Sequence, residues 1–310
     1  MLATVLGIVA PLFGLILLGF VSGKKGWLPA ASTPALNAFT VYLGLPALLF
    51  RVMSESKPAE LWQPGFLLAF STGTAVAFLL ALMVDRRRHR SASEAAIDAL
   101  IASYPNTGFL GIPLGLAAFG HPGLQAALIA SVIPVAIVFA IGIMVMEFDI
   151  NHELGFAAAL RLTMRRLLTN PLILSPSAGI AWQMTGLGLP DVMRQILVML
   201  GDTAVPCALV NLGLFLSESA GGGHGRAGWL IGIKLLVQPA VTALMALVLL
   251  RMEPVWSSAA ILLAALPTGT GPFMLATHYR LDSGVSARAT LLSTLLSVAT
   301  VTALLIVLHR

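Results

Sequence analysis

Residues 103–115 read SYPNTGFLGIPLG. Apolar sequence flanks this stretch on both sides, yet it holds Pro105, Pro113, Gly108, Gly111 and Gly115 beside Asn106 and Thr107. Helix breakers and polar groups thus sit where a membrane helix would have its middle. Backbone broken at membrane depth is tolerated only when it is buried in protein or lines a wet cavity. Proline removes one amide donor and clashes with the carbonyl four residues back, so the break frees polar groups. A half-helix that starts there aims free amides and about half a positive charge ahead of it, which suits an anion. Pro105, Asn106 and Thr107 are therefore candidate substrate-binding residues. The Asn amide both donates and accepts, and the Thr offers a hydroxyl.

A second stretch repeats the anomaly: LPTGTGPFMLATHYR at 266–280 carries Pro267 and Pro272, Gly269 and Gly271, and the hydroxyls of Thr268 and Thr270. Pro267, Thr268 and Thr270 join the candidate site. The spacing of prolines suggests that the two stretches correspond. Pro11 and Pro171 differ by 160, Pro46 and Pro206 by 160, Pro105 and Pro267 by 162. A lone proline in a membrane helix usually only kinks it, and a lone Ser or Thr there usually bonds its own backbone. Matched interruptions in two halves point instead to a transporter site.

Composition sets the class. The chain has 310 residues, 58% hydrophobic and 10% charged, which is an integral membrane protein with no soluble domain left to assign. Apolar windows of about 20 residues recur, as expected for a helical bundle. They place spans at roughly 3–21, 34–53, 64–84, 95–119, 122–146, 167–185, 191–216, 227–250, 257–278 and 284–308. Lys and Arg crowd the odd-numbered connections: Lys24, Lys25, Arg86, Arg87, Arg88, Arg90, Arg161, Arg165, Arg166, Arg226, Arg280 and Arg288. The even side and the ends have Arg51, Lys57, Arg194, Arg251 and Arg310. The odd connections are expected to face the cytoplasm and both termini the periplasm. Residues 1–150 then form a first five-helix repeat, 151–166 a short cytoplasmic connection and 167–310 a second repeat. An odd number of spans per half inverts the second repeat. The fold expected is all-α, with the fourth and ninth helices broken.

At these residues the chain resembles the auxin efflux carrier family, as a bacterial member. The resemblance rests on PNTGFLGIPL at 105–114, LPTGTGPFMLA at 266–276, LPALLF at 45–50, NPLIL at 170–174 and KLLVQP at 234–239, and it spans essentially the whole chain. It implies ten helices in two inverted repeats, a scaffold domain, and a transport domain built around two crossing broken helices. It also implies elevator-type transport of small organic anions, auxin in plant members and dicarboxylates such as malonate in bacterial ones. Pro105 and Asn106 match the crossover that holds the substrate carboxylate, and Pro267 matches the second crossover. Relatives often read Ala, any residue, Asn after the second Pro-Thr. Here Gly269, Thr270 and Gly271 stand, so one amide is missing, and Thr270 is a candidate substitute.

Two charges, Asp202 and Lys234, lie deep inside expected spans, at least seven residues from either end. Asp202 is either a proton or cation site that couples transport to a gradient, or a structural partner of unwound backbone. Lys234 either snorkels to the cytoplasmic surface or pairs, or it attracts the anion. Asn37, Tyr42 and Gln238 could line a cavity or join helices. Protons or sodium are the candidate coupling ions, and a homodimer is a candidate assembly. The positive pair Lys24 and Lys25 follows the first apolar stretch, the reverse of a cleaved signal peptide. The single Cys207 excludes disulfide scaffolds, and no His or acidic group shows metal-ligand spacing. GGGHG at 221–225 is a flexible link without the Lys of a phosphate loop, DRRRHR at 85–90 is a solvated basic loop, and no cofactor is expected. Gly201-Asp202 lacks the fuller aspartyl-protease pattern, and no HExxH or GxSxG occurs, so no enzyme is expected. No nucleic-acid partner is expected either; the partners are lipid and a small anion. The sequence reads as an inner-membrane secondary carrier. A sodium-coupled bile-acid-type or antiporter-type carrier is the alternative.

Overall fold

The computed structural model describes residues 2–56, 62–87, 90–133, 137–150, 169, 171–218 and 224–308. The connecting segment 151–166 with Arg161, Arg165 and Arg166, together with Lys57, Arg88, His89, His152, residues 221–223, His309 and Arg310, lies outside them. Among the described residues the chain is helical, without a strand. The helices are α1 (Leu2–Lys24), α2 (Ser32–Glu55), α3 (Pro64–Arg87), α4 (Ala92–Ser103), α5 (Ile112–Ile133), α6 (Phe139–Ile150), α7 (Pro171–Met184), α8 (Asp191–Glu218), α9 (Arg226–Leu249), α10 (Pro254–Ala264), α11 (Gly271–His278) and α12 (Gly284–Leu308).

Among the described residues, seven helical stretches are long and apolar enough to cross a membrane: α2, α3, α8, α9 and α12, most of α1, and Thr107–Ser131. The other expected spans fall on interrupted or partly described segments. α4, α10 and α11 are short because each ends or begins at a break, and α6 and α7 border undescribed residues. Prolines explain two of the local departures inside α2 and α9. π-helical turns at Thr40–Gly44 and Ile233–Val237 precede Pro46 and Pro239, whose missing amides force the ladder to slip by one residue.

The helices pack as two units, and neither follows the sequential halves. One comprises residues 1–10, 64–164 and 219–310; the other comprises 11–63 and 165–218. The smaller unit is joined by close backbone approach: a Cβ on Gly213 of α8 would lie 2.0 Å from the Ile16 carbonyl of α1. Arg194 and Glu55 pair across 3.4 Å, and Asn211 Nδ2 donates to Asn37 Oδ1 at 3.4 Å. Asn37 is therefore helix-to-helix glue. The larger unit has its own core, in which Phe66, Phe70, Leu100, Ile101, Leu110 and Leu114 are all buried at the level of single atoms. Both interrupted stretches lie in this larger unit.

Candidate functional site

The two breaks pair with each other. α4 ends at Ser103, and Tyr104 turns extended at φ −93°, ψ 93°. Asn106, at φ −76° and ψ 59°, sits at the centre of a tight turn closed by the Thr107 amide on the Pro105 carbonyl at 2.8 Å. In the second stretch α10 ends at Ala264 and α11 begins at Gly271. Between these ends the Asn106 amide donates to the Pro267 carbonyl at 2.8 Å, and the Gly269 amide donates to the Tyr104 carbonyl at 2.9 Å. Pro105 and Thr268 face each other in this single antiparallel bridge. The crossover is thus a reciprocal two-bond strand pair inserted between four half-helices.

Broken helix ends leave carbonyls without amides, and in a dry setting each must find another donor. The Ile101 carbonyl, which would meet the absent amide of Pro105, receives the Thr268 hydroxyl at 2.9 Å. The Ser103 carbonyl receives Gln238 Nε2 at 3.2 Å, and the same amide nitrogen reaches Thr74 Oγ1 at 3.1 Å. The Ala264 carbonyl at the end of α10 receives Lys234 Nζ at 2.7 Å. The Thr268 amide goes to Ser293 Oγ at 3.0 Å, on a buried row of α12 formed by Ser286, Thr290, Ser293, Thr294 and Ser297. Replacing Thr268 with valine keeps the shape but strips the Ile101 carbonyl of its donor. The expected loss is about 1–3 kcal/mol of stability, read as a lower melting temperature in detergent.

Asn106 keeps an unspent donor at the crossover itself. Asn106 Oδ1 accepts the Phe109 amide at 3.3 Å and so caps the turn that restarts the helix. The capping role fixes which end of the amide is oxygen. Its nitrogen, Nδ2, has no partner among the described residues, although the side chain is only 4% exposed. Native structures rarely leave a buried donor unpaired.

The other expected site residues divide. Pro105, Thr107, Pro267 and Thr268 are buried at the crossover, and Thr270, partly exposed, precedes α11 without capping it. Thr268 is committed to Ile101 and is a staple between the breaks. Lys234 does not snorkel: it is fully buried, because the carbonyl at the end of α10 holds its ammonium inside. Asp202 belongs to the smaller unit, where its side chain is 67% exposed and 4.0 Å from Arg51. Tyr42 is likewise exposed, and Gln238 joins α9 to α3 and α4. Among the described residues no cluster of His, Cys, Asp or Glu could hold a metal ion. Two features of the larger unit escape the sequence reading although each leaves a signal: the serine and threonine row of α12 recurs at spacings of three and four, and Asp98, whose Oδ2 accepts from Arg226 Nε, is an acid inside the expected span 95–119.

Comparison with known proteins places this helical chain among membrane transporters. Residues 4–305 match the family described as membrane transport protein. A protein of Rhizobium meliloti (strain 1021) named "Putative malonate transporter" is 31% identical over 316 residues, covering 98% of this chain and 96% of that one. Auxin efflux carrier component 8 of Arabidopsis thaliana is 22% identical over 352 residues, covering 96% and 95%. An uncharacterized transporter of Methanothermobacter thermautotrophicus is 24% identical over 290 residues, covering 91% of each chain.

Proposed function

The chain belongs to the auxin efflux carrier family of membrane transport proteins, and from that premise we propose that it is a secondary carrier of small organic carboxylates. The observation that carries this reading is the unpaired donor of Asn106, buried at the meeting of two broken helices. A carboxylate oxygen is the acceptor such a donor lacks, and the half-helix restarting at Thr107 adds favourable amide dipoles. Relatives are named for malonate and for auxin, and both are carboxylic acids.

The unit holding the crossover is the moving part in this proposal, and the smaller unit is the scaffold. The chain crosses the inner membrane ten times in two inverted repeats, 1–150 and 167–310, with both termini periplasmic. Drive comes from an ion gradient or from the anion's own gradient.

Purified protein titrated with mono- and dicarboxylates tests the reading. A binding acid at 100 times its Kd should stabilise the fold by about 2.7 kcal/mol. Labelled acid in liposomes should then show saturable counterflow. A protein that no carboxylate stabilises would remove the proposal.

A further inference from the structure

Beyond the carbonyl that Tyr104 lends to the bridge, its ring shapes the crossover. Lying extended just before Pro105, it places its side chain over residue 269 on the opposite segment of the bridge. A Cβ on Gly269 would come within 2.9 Å of both Cδ1 and Cε1 of the ring, and within 3.4 Å of Asn106 Cα. A Cβ on Gly271 would lie 2.9 Å from Tyr104 Cζ and 2.7 Å from Phe139 Cε2. The two rings cannot step aside easily, since they pack on each other with centroids 5.4 Å apart. Neither glycine has a positive φ. Both are glycine for space, and the space is filled by Tyr104.

The hydroxyl end of this ring therefore lies beside Gly271, the first residue of α11. Tyr104 is partly exposed, and its hydroxyl bonds no described residue. Asn106 stands two residues on, close enough that a single methyl group on Gly269 would touch both residues. The crossover thus holds two uncommitted donors on residues two apart in the chain, one an amide nitrogen and the other a phenol.

We propose that Tyr104 is a specificity-determining residue: when Asn106 Nδ2 holds one carboxylate of a short dicarboxylate, the Tyr104 hydroxyl donates to the other. This rests on the crossover being the carboxylate site. Gly269 and Gly271 serve it by leaving room for the ring, so the phenol supplies a donor where those two positions offer no side chain.

The test is binding of malonate and of acetate to the full-length protein, its Tyr104→Phe variant and its Asn106→Ser variant, with melting temperatures recorded. Tyr104→Phe keeps the ring and removes one donor. Malonate affinity should fall about tenfold and acetate affinity less than about twofold. Unchanged malonate binding, or an equal loss for both acids, overturns the proposal. Gly271→Ala, which dislodges the ring, should lower malonate affinity at least as much, and wild-type malonate binding by that variant also counts against it. Asn106→Ser separates the two readings. If it binds both acids normally, the site assignment itself fails; if it loses both while Tyr104→Phe changes neither, only the role of Tyr104 fails.

Discussion

Asn106→Ala should weaken carboxylate binding roughly 30- to 150-fold, equivalent to about 2–3 kcal/mol for a hydrogen bond to a charged group. The side chain does two jobs, and the variants must separate them. Its oxygen caps the turn at Thr107 through the Phe109 amide, and losing a cap costs about 1 kcal/mol of stability. Its nitrogen is the buried donor without a partner. Alanine removes both, so binding and melting temperature should fall together. Serine caps as well as asparagine does but cannot place a nitrogen donor at the same reach. Asn106→Ser should therefore melt within a few degrees of wild type and still bind poorly. Isothermal titration on both variants reads the difference. Wild-type affinity in the serine variant would mean that the free amide faces no substrate.

The location of this site was legible because proline and glycine act locally. A missing amide breaks a helix wherever it falls, and PNTG at 105–108 and PTGTG at 267–271 mark both interruptions to within a residue or two. Gly120, at φ 63°, likewise separates the two spans expected on either side of 119–122. Long apolar runs gave α3, α8 and α12 nearly to their ends. The apolar pattern does not say which helices make up each unit, because each unit draws helices from both halves and no local pattern records which helices touch; only the family resemblance implies a scaffold and a transport unit.

Side-chain commitments were harder still. Hydroxyls at the break all look like substrate ligands in a sequence, yet Thr268 is taken up by the carbonyl of Ile101, 167 residues away. Lys234 reads as a snorkelling residue because only its depth is visible, and the acceptor that keeps it inside is a carbonyl 30 residues on. Asp202 and Asp98 are both acids amid apolar sequence, and nothing local says that the first is exposed while the second is buried against a remote arginine. Arg226 was counted among the charges that orient the chain. Such a count cannot distinguish a solvated arginine from one turned inward onto a carboxylate.

That inward pair carries the largest stability effect expected. Asp98 is 1% exposed on α4, and Arg226 at the start of α9 donates to it. Removing one partner of a buried pair strands a charge and typically costs about 3–5 kcal/mol, so Arg226→Met should lower the melting temperature well beyond Thr268→Val. Arg226 also interacts with Asp85, which is buried with one oxygen unpartnered, so methionine leaves two carboxylates without this cation. α4 is 12 residues long, marginal on its own, and depends on what holds it. Its first turn is fixed by Ser91 on the Glu94 amide and by Asp149 on the Ser93 amide, and its last turn runs straight into Tyr104, Pro105 and Asn106. Loosening the helix at Asp98 should therefore blunt carboxylate binding as well as stability. Arg226→Met combined with Asp98→Asn removes the charge that Arg226 bonds directly, though not Asp85, and should recover part of both losses, a non-additivity that a double-mutant cycle measures directly. If the double variant were as unstable as the single one, the packing of the guanidinium rather than its charge would be what keeps α4 aimed at the crossover.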